Sequence, residues 1–134
     1  MIEMTLEMAE RAAKAALGKA QSLGLAMSTA VVDESGRTVL VMRADGASFT
    51  SPETSRAKAV TAANFRRATK QLSESAATNS AFWMSAAVVL RGEAMPSPGG
   101  VPIVREGRVI GAIGCGGGSS DQDHECALAG ANAV

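Results

Sequence analysis

The chain reads as an α+β domain, an antiparallel sheet with flanking helices, and three observations predict this. β-branched runs occur in pairs around short glycine-containing turns: MSTAVVD (27–33) with TVLVM (38–42), and VPIV (101–104) with RVIGAIG (108–114). That is the pattern of hairpins. Helical stretches lie before, between and after the two pairs rather than alternating with single strands, which favours an antiparallel sheet covered by helices. Finally, 134 residues suit one domain, spanning 1–134, with room for one core and not for two.

Each element has a local reason. Leu6, Ala9, Ala13, Ala16, Ala20 and Leu23 recur every three or four positions, with Glu7, Glu10, Arg11, Lys14 and Lys19 mostly elsewhere, so residues 5–23 form an amphipathic helix. Thr5 is its N-cap and Gly24 its stop, and the alanine face predicts close packing. ESGR (34–37) turns the first hairpin, with Gly36 at positive φ, and Asp45-Gly46 makes a further turn. Ser51 as N-cap before Pro52 predicts a helix from Pro52 to Asn64, since proline suits a position whose N–H would be unpaired. A second short helix is expected over 68–77. SAFWMSAAVVL (80–90) suits a helix or a buried strand, and its β-branched end favours a strand within Ala86–Leu90. With that strand the sheet has about five. Glu106-Gly107 turns the second hairpin, and Gly111 and Gly114 mark places where another backbone or a ligand comes close. Ser119 with Gln122, or Ser120 with Asp123, caps a closing helix.

Composition narrows the function classes. Aromatic residues make up 3% of the chain and tyrosine is absent, so the core is built from Ala, Val, Ile, Leu and Met. Thirteen basic residues balance thirteen acidic ones, which leaves no field to draw the chain to nucleic acid or to an anionic membrane. The acidic N-terminus, MIEMTLEMAE, and the lack of any run near the roughly 20 apolar residues of a membrane span predict a soluble, cytoplasmic protein. Cys115 and Cys126 read as reduced thiols, and with one histidine they make no zinc ligand set, so no metal site is expected.

The stretch PGGVPIVREGRVIGAIGCGGG (98–118) holds eight of the 14 glycines. A strand running into GCGGGSS and then a helix has the layout of a phosphate cradle. No lysine follows as a Walker loop requires, and Asp121, Asp123 and Glu125 would repel a phosphate. Those acids complement the helix dipole, or a neutral, oxygen-rich ligand lies against the amides. His124 is the candidate for acid–base work or for ligating a metal or haem; otherwise it is a solvated surface residue. Cys115 is a nucleophile with a pKa lowered by the helix N-terminus, or a small residue in a crowded turn. Arg43, Asp45 and Lys58 clamp a carboxylate or are separate surface charges. Phe65, Phe82 and Trp83 belong to the core, an interface or a pocket wall.

In order along the chain, AVVDESGRTVLVMRADGA (30–47), SRAKAVTAANF (55–65), GGVPIVREGRVIGAIG (99–114) and GGSSDQDHECALAG (117–130) resemble the GlcG/HbpS family, the haem-degrading domain family also found as the C-terminal domain of PduO-type proteins. The resemblance implies a profilin-like sheet, a homo-oligomer with an even number of subunits, and a pocket rimmed by the GGVPI hairpin and the glycine turn. Arg43, Asp45, Lys58, Thr61, Gly99, Gly100, Pro102, Gln122 and Asp123 match the family pattern by position. Cys115-Gly116 departs from it, standing where a valine–serine pair commonly follows GAIG, and His124 follows the Gln-Asp pair. The function implied is binding of a small molecule: haem, another tetrapyrrole or a catabolite, with Cys115 or a methionine as possible iron ligands in place of histidine. The alternative is a cofactor-independent hydrolase, hydratase, isomerase or tautomerase acting on a small organic acid or ring compound. There, Arg43 and Lys58 hold an anionic group while Asp123, His124 or Glu125 moves a proton.

Overall fold

The computed structural model describes residues 3–134. In order these form α1 (Leu6–Ser22), β1 (Ser28–Asp33), β2 (Thr38–Arg43), α2 (Ser51–Phe65), α3 (Thr69–Thr78), α4 (Ser80–Val89), β3 (Gly100–Arg105), β4 (Arg108–Gly116) and α5 (Ser120–Asn132). The two hairpins join through β1 and β4 into one antiparallel sheet of order β2-β1-β4-β3. Helices α1 and α5 pack on one face against Val31, Ile113 and Cys115, and α2 packs on the other against Val32 and Ala112.

The α+β class holds, with a correction to the strand count. Among the described residues the sheet has four strands, because residues 80–89 are helical and Ala86–Leu90 contributes none. Trp83, Ala86 and Leu90 fall at helical spacing and cluster with Leu72 and Ala94, a contact that strand alternation would not allow. Ser51 is also not a cap. It is the first residue of α2, and its hydroxyl meets Ser28 Oγ at 2.8 Å and donates to the Ser48 carbonyl at 2.7 Å. Other signals read locally hold: Thr5 Oγ1 accepts from the Met8 N–H, Gly24 has φ 74°, and the cap of α5 is the Ser119–Gln122 box.

Side-chain alternation along β4 explains the concentration of glycine. Ile113 and Cys115 point to α1 and α5, whereas Ala112, Gly114 and Gly116 face α2. Gly114 pairs with Gly100 of β3. A Cβ at Gly114 would run into the Ser55 carbonyl, and one at Gly100 into the Lys58 carbonyl. The glycines therefore let the α2 backbone lie directly on the sheet, and α2 answers with buried Ser55, Ala59, Ala62 and Ala63. This close contact carries Lys58 to the centre of the molecule.

Helix α4 is different. Its Phe82, Met84, Val88 and Val89 are exposed, Met84 by 73% and Val88 by 80%. Among the described residues, no helix is long and apolar enough to cross a membrane.

Candidate functional site

The residues of the glycine turn meet around one ion pair. Lys58 Nζ lies 2.9 Å from Asp123 Oδ2, and the two side chains are only 5% and 6% exposed. The ammonium also donates to the Cys115 carbonyl at 3.1 Å, and the Gly118 N–H donates to Asp123 Oδ1 at 2.8 Å. The pair thus ties α2 to α5 and to the end of β4. Gly99 sits against it with φ 129°, and a Cβ there would lie 3.0 Å from both Asp123 Cβ and Lys58 Cδ. Thr69 bonds the Gly100 N–H at 2.8 Å from the α3 side. With both oxygens of Asp123 engaged, the pair is a sealed brace beneath the surface rather than a free acid–base couple.

Other candidates lie around this brace. Thr61 Oγ1 accepts from the Met95 N–H at 2.9 Å and so pins the loop leading to β3. Phe65 meets Trp83 at a 44° tilt with 4.9 Å between centroids, apart from the brace, in the cluster under α4. Pro102 sits half-buried on β3 opposite Ala112, and Gly116 ends β4 opposite Ser28. Glu125 is on the outside of α5, 3.2 Å from Lys19. Arg43 and Lys58 are not brought together: Arg43 is exposed on β2 with its guanidinium 5.9 Å from the Phe49 ring centroid. Asp45 lines a groove of about 460 Å³ between α1 and the ends of β1 and β2.

Cys115 and Cys126 are both fully buried. Burial pushes the Cys115 thiol up to about 12 and Cys126 up to about 11. The lowering expected for Cys115 from the neighbouring helix N-terminus is outweighed by desolvation. His124 is half-buried in the second turn of α5, with Nδ1 enclosed and, among the described residues, unpartnered. Its pKa is lowered, first by burial and then by the ammonium of Lys70. That lysine, on α3 and 3.9 Å from Asp121, is a neighbour the sequence did not single out. The serine network of Ser28, Ser51 and Ser55 was also missed. Small polar residues carry little periodic signal, and only the fold shows what they touch.

Residues 4–132 match the family model described as haem degrading protein HbpS-like. The chain is 32% identical to protein GlcG of Escherichia coli over 111 residues, which cover 83% of this chain and 79% of GlcG. Among solved structures, a double mutant of HbpS from Streptomyces reticuli superposes with a TM-score of 0.87 at 32% identity, covering 100% of this chain and 88% of that one. The PduOC–haem complex gives a TM-score of 0.89 at 28% identity, covering 99% and 96%. With the family pattern running through nearly every element of the sheet and its helices, the chain belongs to the haem-degrading HbpS-like family.

Proposed function

We propose that this protein binds a small molecule, and that the ligand is haem or another tetrapyrrole held at His124. One observation carries the reading. His124 has a half-buried imidazole with an enclosed, unpartnered Nδ1, and burial together with Lys70 favours its neutral form. A neutral imidazole keeps a lone pair for a metal, where an imidazolium has none. Lys70, held only loosely by Asp121, supplies a cation for a propionate. The buried thiols fit less well, because each would have to be exposed and deprotonated against desolvation. Bound haem would bring an iron centre whose behaviour its axial ligand tunes. The haem complex of the related PduOC domain supports the ligand class.

The alternative, a cofactor-independent enzyme, draws no support from Asp123, whose oxygens are engaged by Lys58 and Gly118. Nor does Arg43 join Lys58 in one anion clamp.

The reading includes self-association, in an even number of subunits, through the exposed apolar side of α4. That side presents Met84, Val88 and Val89 and carries no charge that would oppose a second copy. Light scattering tests this point: Val88→Glu reduces the particle to a smaller species, and an unchanged mass excludes α4 as the contact. For the ligand, haemin titration of the wild type, Cys115→Ala and His124→Ala is the test. A saturable, sharpened Soret band lost only in His124→Ala is expected.

A further inference from the structure

The groove beside α1 contains a glycine that packing does not explain. Gly18 lies in the interior of α1, where glycine is a poor helix former next to alanine. Helix α5 holds a contrasting case: a Cβ at Gly130 would lie 2.8 Å from the Ala12 carbonyl oxygen, so the α1–α5 contact requires its absence. At Gly18, among the described residues, an added Cβ would meet no heavy atom within 4 Å beyond its chain neighbours and the backbone of its own helix. What the missing side chain leaves free is space in the groove of about 460 Å³, a volume in the range of ligand pockets. Leu25 and Met42 give this groove an apolar floor. Lys14 stands on the α1 wall with only a 4.0 Å contact to Glu10, and Asp45 lines the groove from the turn that follows β2.

We propose that this groove is a second binding site, for a small bipolar organic acid with an apolar body, a carboxylate at one end and a hydrogen-bond donor at the other. Lys14 pairs with the carboxylate and Asp45 accepts from the donor. Gly18 keeps open the room for the body. A linear dicarboxylate of the same length would set one of its anionic groups towards Asp45, so the opposed charges select against it. The inference is independent of His124, which is on α5 and not among the residues lining the groove.

The test uses straight-chain ω-aminocarboxylates of four to eight carbons as probes, with the matching fatty acids and alkylamines as controls. Binding is followed by saturation-transfer NMR and calorimetry on the whole chain, alongside haemin titration. Saturable binding of at least one aminocarboxylate is expected, at least tenfold tighter than its matching acid or amine. Lys14→Gln and Asp45→Asn each weaken it about tenfold. Gly18→Leu raises Tm, because leucine is the better helix former, yet abolishes aminocarboxylate binding and leaves haemin binding as in the wild type. The proposal is overturned if no aminocarboxylate binds saturably, if Gly18→Leu binds as the wild type does, or if Gly18→Leu loses haemin as well. That last result would make the groove the haem site.

Discussion

Lys58 and Asp123 form a buried ion pair at 2.9 Å that locks α2 to α5 and receives the end of β4 through the Cys115 carbonyl. A buried pair adds little over a well-packed apolar pair, but removing one member strands the other charge. Lys58→Met is expected to lower unfolding free energy by about 3–5 kcal/mol. Adding Asp123→Leu restores a substantial part of it. Urea titration of the single and double variants checks this; equal losses in both would show that the side-chain volumes, not the charges, matter.

The close seat of α2 makes Gly114 intolerant of any side chain. Gly114→Ala drives a methyl into the Ser55 carbonyl and lifts α2 from β4. A destabilisation of at least about 1–3 kcal/mol follows from overpacking of this kind. Thermal denaturation measures it, and an unchanged Tm would mean that α2 sits farther from the sheet.

Both thiols are expected to be unreactive in the folded protein. Cys115 and Cys126 are fully buried with thiols raised to about 12 and about 11. Thiol titration at pH 8 is expected to show no fast-reacting cysteine until denaturant is added, and then two. A thiol that reacts at once in native buffer would contradict the burial of its residue.

His124 gives stability a definite pH dependence. Its folded pKa lies below the ordinary 6.5, so the unfolded chain binds the proton more readily. Its contribution is complete above pH 6.5 and is lost as pH falls through the lowered folded value. His124→Gln removes that component, and the difference between the two stability–pH curves isolates it. Parallel curves across the acid range would mean that the imidazole is not desolvated.

Much of this architecture was legible in local patterns. Turn glycines at 36 and 107 announced the hairpins, and the alanine face of α1 announced close packing. Residues 80–89 were harder, because a short run that is apolar on all sides has no period to separate helix from strand. Lys58 and Asp123 each stood out through family resemblance, but their pairing joins positions 65 residues apart, and no local signal encodes that. Cys115 shows the same limit. Its nearness to a helix start was readable, while the burial that decides its pKa depends on α1, α5 and the sheet closing over it. Gly18, in the stretch AALGKAQ, was passed over in the sequence, and only the open space around it gives it meaning.

The most direct test of the account is the haemin titration, read by absorption in the wild type, Cys115→Ala and His124→Ala. A saturable, sharpened Soret band that persists in Cys115→Ala and disappears in His124→Ala is the predicted result. A broad, unsaturating band, or a sharp one untouched by loss of the imidazole, would contradict it.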